Sequence, residues 1–122
     1  MSSGVVRGWY NELLVHEGKA QRVIISTGGI CFQNGQTWPI YPPEEKTLEI
    51  PTDDGWYTVL LRLEPFKVTN RGESWKGFRV RPEVLPGLSW DYDSDKEPLA
   101  AVYREGDRIR IEDRRRFLTG VE

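Results

Sequence analysis

Thiols and imidazoles are nearly missing from this chain, which has one cysteine and one histidine in 122 residues. Cys31 alone forms no internal disulfide, a usage that fits a reducing compartment, and a cytoplasmic location is the expectation. Zinc asks for three or four Cys or His ligands, so no metal site is expected. A nucleophilic enzyme needs a base beside its nucleophile, and His16 with Cys31 is the one pair that could supply both. Cys31 lies in an apolar run, where cysteine behaves as a small core residue. No catalytic residue and no cofactor is therefore assigned.

Other absences narrow the field. No apolar run approaches the ~18 residues of a membrane-spanning helix. Met1–Gly8 lacks a positive start followed by an apolar stretch, so no signal peptide and no membrane partner are expected. Net charge is -2, without the positive excess of a general nucleic-acid binder. Gly28-Gly29 lacks the Lys-Ser/Thr of a phosphate loop and no helix follows it; a turn or bulge between strands is the simpler reading. Asp91-Tyr92-Asp93-Ser94-Asp95-Lys96-Glu97 starts like a calcium loop. It has Lys96 where the sharp turn needs Gly and Val102 where the last ligand should be Glu, so it reads as a solvated acidic loop.

Hydrophobic residues make up 38% of the chain and charged residues 30%, which suits a folded domain rather than a disordered one. The length fits one domain, residues 1–122, with 1–8 and 119–122 expected as loose termini. The organising stretch is Gly55–Pro65. Tyr57, Val59, Leu61 and Leu63 share one wholly apolar side of a strand. Trp56, Thr58, Leu60, Arg62 and Glu64 share the other, which grades from apolar to charged, as where a sheet face runs from cover into solvent.

Around it lie further extended segments separated by turns. Trp9–His16 reads as a strand between glycines, and the β-branched Val23, Ile24 and Ile25 favour strand over Gln21–Thr27. Asn34-Gly35 predicts a type I′ hairpin turn. The prolines of Trp38–Pro43 take that segment off the sheet or along its edge. Thr47–Ile50, Lys76–Val84, Leu99–Arg104 and Arg108–Glu112 are strands, while Asp53-Asp54-Gly55, Asn70-Arg71-Gly72 and Glu105-Gly106-Asp107 are turns. Arg114–Glu122 either continues a strand or frays. The segment Glu105–Ile111 resembles the hairpins of many small barrels, SH3-like ones included. About eight short strands and no helix predict an all-β, antiparallel β-sandwich, with a partly open barrel as the alternative.

The function classes that survive are binding classes. Five Trp and five Tyr offer flat apolar faces with polar handles. Trp38 and Tyr41 in the proline segment, Trp56 on the mixed side of the central strand, and Trp75 and Trp90 beside turns are the candidate contacts. Arg79 and Arg81, with Arg108 and Arg110, face outward from two strands. They form a cationic stripe if those strands are neighbours, or a mixed-charge solvated face if Glu64, Glu83 and Glu112 pair with them. Tyr, Trp and Arg dominate protein-interface hot spots. The expected function is a non-enzymatic, bacterial-type binding module for another macromolecule, an immunity or inhibitor protein being one concrete version. The rivals are a carbohydrate-binding module using exposed Trp and a small enzyme using His16, Cys31 or acidic loop residues. A protein is the expected partner, carbohydrate the second option, and homodimerisation through a strand edge or the Trp38–Pro43 segment a third.

Overall fold

A computed structural model describes residues 4–5, 12–32, 44–88 and 95–117. These form nine strands: β1 (Gly4–Val5), β2 (Val15–Glu17), β3 (Arg22–Ile25), β4 (Ile30–Cys31), β5 (Lys46–Glu49), β6 (Gly55–Asn70), β7 (Glu73–Pro86), β8 (Lys96–Glu105) and β9 (Arg108–Asp113). There is no helix among the described residues, and hence none long and apolar enough to cross a membrane. The strands make three antiparallel sheets, ordered β1-β4, β2-β3-β5 and β7-β6-β8-β9. None closes into a barrel, and the architecture is that of a β-sandwich.

The central strand sits where its alternation requires. Tyr57, Val59, Leu61 and Leu63 are all buried in one core. They meet Val15, Val23, Ile25 and Leu48 from the three-stranded sheet and Val5, Ile30 and Phe32 from the β1-β4 layer. Burying an aliphatic side chain of this size contributes roughly 1.5–3 kcal/mol, so this face dominates the stability. On the opposite face Thr58 and Leu60 are buried while Arg62 and Glu64 are half-buried, the gradient that the residue types imply.

One bulge redirects a charge. The β6–β8 register shifts between Val59 and Leu60, so that Val59 faces Ala100 and Leu60 faces Pro98. Leu99 is the extra residue, and its carbonyl accepts the Arg114 N–H at 2.9 Å. A bulge moves all later side chains to the other face. Glu97 thereby pairs opposite Leu61 on the core side and is fully buried. The Arg116 guanidinium meets it at 2.9 and 3.2 Å.

Several expectations need correction. Gly4–Val5 is no loose lead-in: Val5 is fully buried and pairs with Ile30, and its N–H donates to Arg116 O at 2.7 Å. Gly4 is required there, because its φ is 138° and a Cβ would lie 2.5 Å from Arg116 O. Of the strand expected over Trp9–His16, residues 9–11 lie outside the described residues; Glu12-Leu13 is a turn, with Leu13 at φ 54°, and β2 starts at Val15. The strands on either side of the expected Asn70-Arg71-Gly72 turn run right up to it, since β6 and β7 pair without interruption from Tyr57↔Pro86 to Asn70↔Glu73. Phe117 ends the described chain in a parallel bridge to Val5. The Asn34-Gly35 turn and residues 119–122 lie outside the described residues.

Candidate functional site

The four-stranded sheet places the two arginine pairs on its opposite edges, β7 and β9, with β6 and β8 between them. The continuous cationic stripe therefore does not form, and the two ends behave differently.

At the β7 end the guanidinium groups are neutralised. Cross-strand register sets Arg62 opposite Arg81 and Glu64 opposite Arg79. Arg79 Nε lies 3.2 Å from Glu64 Oε2, and Arg81 Nε 2.9 Å from Glu64 Oε1. Arg62 grips Glu83 with Nε and Nη2 at 2.6 and 3.1 Å and reaches Asp95 at 3.8 Å. The mixed-charge reading holds for this half of the face.

At the β9 end the ladder builds a row across three strands. Trp56 of β6 faces Tyr103 of β8, and Tyr103 faces Arg110 of β9. The indole and phenol rings are tilted by 57° with centroids 5.1 Å apart, in the range of favourable aromatic contacts. The Arg110 guanidinium carbon stands 5.7 Å from the Trp56 centroid and 5.6 Å from the Tyr103 centroid. Both distances lie within cation–π reach, so two rings orient one charge. Neither Arg108 nor Arg110 has an ion-pair partner among the described residues. Beside the row a hollow of about 290 Å³ is lined by Tyr103, Glu105, Arg108, Ile109 and Arg110.

The β8–β9 turn that carries this end is rigidly seated. Glu105 pairs with Arg108 across Gly106-Asp107, with Gly106 at φ 61° as a type II′ turn needs at its first central position. Gly106 N–H donates to Asp54 Oδ1 at 2.8 Å. The Arg104 guanidinium donates to the carbonyls of Ile50, Pro51 and Gly106 at 2.8, 2.9 and 2.8 Å, binding the hairpin to the end of β5.

The remaining candidates disperse. Trp38, Tyr41 and Trp90 lie outside the described residues, and Trp75 lies in β7 opposite Val68. Trp56 is half-buried beneath Arg110 rather than an open platform. Cys31 is buried in β4, where burial pushes its thiol pKa up. His16 is in β2 of another sheet, half-exposed, with Glu45 3.9 Å away. The pairing that would have set these two together is absent from the ladder, because β2 pairs with β3. Gly28 packs on the Glu12-Leu13 turn, where a Cβ would meet Leu13 N at 2.9 Å. Among the described residues no three acidic, His or Cys side chains converge as a metal set. Tyr103, Glu105 and Ile109 were not legible as site residues. Alternation put Tyr103 on a strand, and only the β6–β8 register put it beside Trp56.

No protein-family model, curated protein or solved structure matches this chain.

Proposed function

We propose that the chain is a non-enzymatic β-sandwich module that binds a protein partner through the outer face of β8 and β9. The carrying observation is the Trp56–Tyr103–Arg110 row with Arg108 beside it: two guanidinium groups without carboxylate partners among the described residues, one of them held over two aromatic rings. Arg presents several fixed donors to a carboxylate, and Tyr, Trp and Arg are the types that anchor interfaces. The partner surface that fits is flat, acidic and rich in carboxylates. An inhibitor or immunity protein that plugs an acidic partner site is the concrete form, acting within a cytoplasm of bacterial type.

Affinity capture from native lysate tests the reading, with wild type compared against Arg108→Ala/Arg110→Ala and Arg79→Ala/Arg81→Ala. A partner held at micromolar affinity by wild type and by the second variant, and released by the first, supports it. Retention of nothing, or equal retention by all three, overturns it.

A further inference from the structure

Strand β7 is an edge of its sheet among the described residues, and its prolines show which part of that edge is protected. Gly87 N–H donates to Trp56 O at 2.7 Å, and the β6–β7 register then runs without a shift. Odd-numbered residues of β7 therefore direct their backbone polar groups at β6, and even-numbered residues direct theirs off the sheet. Pro82 and Pro86 are even. Each lacks the N–H that would otherwise face outward, which is how natural edges are blunted. The other even residues from Ser74 to Val80 keep theirs. Ser74, Lys76, Phe78 and Val80 form an unblunted run that begins at the core margin, where Val80 packs, and Phe78 is 55% exposed.

We propose that this run pairs with the same run of a second copy of the chain, antiparallel, about a two-fold axis at Gly77. The axis follows from the run itself, because Gly77 is its midpoint. Ser74 then exchanges both hydrogen bonds with the partner's Val80, and Lys76 with the partner's Phe78. Beyond Val80 the pairing stops at Pro82, which has no proton to donate. The charges agree with this register. Arg81 falls opposite the partner's Glu73, once on each side of the axis, on the outer face. Glu73 is exposed and has no ion-pair partner among the described residues. Arg81 shares both of its carboxylates: Glu64 with Arg79, and Glu83, 3.8 Å away, with Arg62. The two Phe78 rings become diagonal neighbours, within reach of one another across the ladder. A short ladder of this kind is a small interface and gives a weak dimer. The dimer leaves the β8–β9 face free, so it stands or falls apart from the function proposed above.

Sedimentation equilibrium of the full chain tests the pairing. Wild type should show a concentration-dependent monomer–dimer equilibrium. Glu73→Arg sets Arg against Arg at both sites and Arg81→Glu sets Glu against Glu, so each alone should associate at least ~10-fold more weakly. Mixing the two variants restores both opposite-charge pairs and should restore the dimer as a heterodimer. Phe78→Pro, at the same parity as Pro82 and Pro86, should keep the β circular dichroism and remain monomeric. Gly77→Cys should cross-link across the axis in air, because Cα atoms of a non-hydrogen-bonded pair lie ~4.5 Å apart. A wild type that stays monomeric to about 1 mM overturns the proposal. So does a dimer indifferent to Glu73→Arg and Arg81→Glu, or a mixture that fails to reassociate.

Discussion

Glu97 and Arg116 form a two-point ion pair in which the carboxylate is completely buried and the guanidinium is one-third exposed. The asymmetry matters more than the pair. Taking a partner away from a buried charge is costly, whereas a cation with access to water is readily re-solvated. Arg116→Met should therefore destabilise the fold by ~1–3 kcal/mol through the two charge-assisted hydrogen bonds lost. Glu97→Gln should cost distinctly less, because Arg116 can turn to solvent. Urea unfolding of the two variants, compared at equal slope, checks the order.

Arg104 acts as a clasp between the β8–β9 hairpin and the Ile50-Pro51 segment. Its planar fork reaches three carbonyls from one position, and a lysine's single ammonium cannot reproduce that geometry. Arg104→Lys should lose ~1–3 kcal/mol through carbonyls left unsatisfied. Faster amide exchange at Gly106 and Asp107 would locate the loss in the hairpin.

Two carboxylates set the acid limb of stability. The Arg62 hydrogen bond outweighs partial burial and holds Glu83 below its ordinary 4.5. Burial pushes Asp113 upward, but hydrogen bonds from the Arg115 side chain and backbone outweigh it and bring Asp113 below its ordinary 3.8. A depressed folded pKa favours the folded state above the unfolded pKa, and that contribution disappears as pH falls through the folded value. Wild-type stability should thus fall on acidification below ~4.5. Glu83→Gln should cost ~1 kcal/mol at pH 7, and the difference should shrink as pH falls below ~4.5 in a pH series of denaturation midpoints.

The hairpin arm turns through Arg71 at φ 53° and Gly72 at φ 81°, with Asn70 opposite Glu73. This is the type I′ pattern, for which Asn-Gly is the preferred pair and a long side chain at the first position is not. Arg71→Asn should stabilise the arm by ~0.5–1 kcal/mol, seen as slower amide exchange between Lys67 and Lys76.

Much of the fold was readable from alternation alone. Tyr57 to Leu63, Val23 to Ile25, and Ile109 with Ile111 went where a period of two sends them, because apolar side chains leave water whatever their neighbours are. The ladder from Phe66 to Trp75 was not read from the sequence, since which strand a segment pairs with, and how far, is set by register rather than by local pattern. Nor was the strand at Gly4–Val5, whose burial depends on a backbone approach from Arg116.

Residue types and their spacing determined that this fold is all-β, which faces are apolar, and that Cys31 belongs to the interior. Only tertiary structure decided which strands are neighbours. Pairing is a long-range choice made by burial and register together, and no local pattern encodes it. That choice separated Arg79 and Arg81 from Arg108 and Arg110, set Tyr103 against Trp56, and through one bulge at Leu99 turned Glu97 inward to meet Arg116.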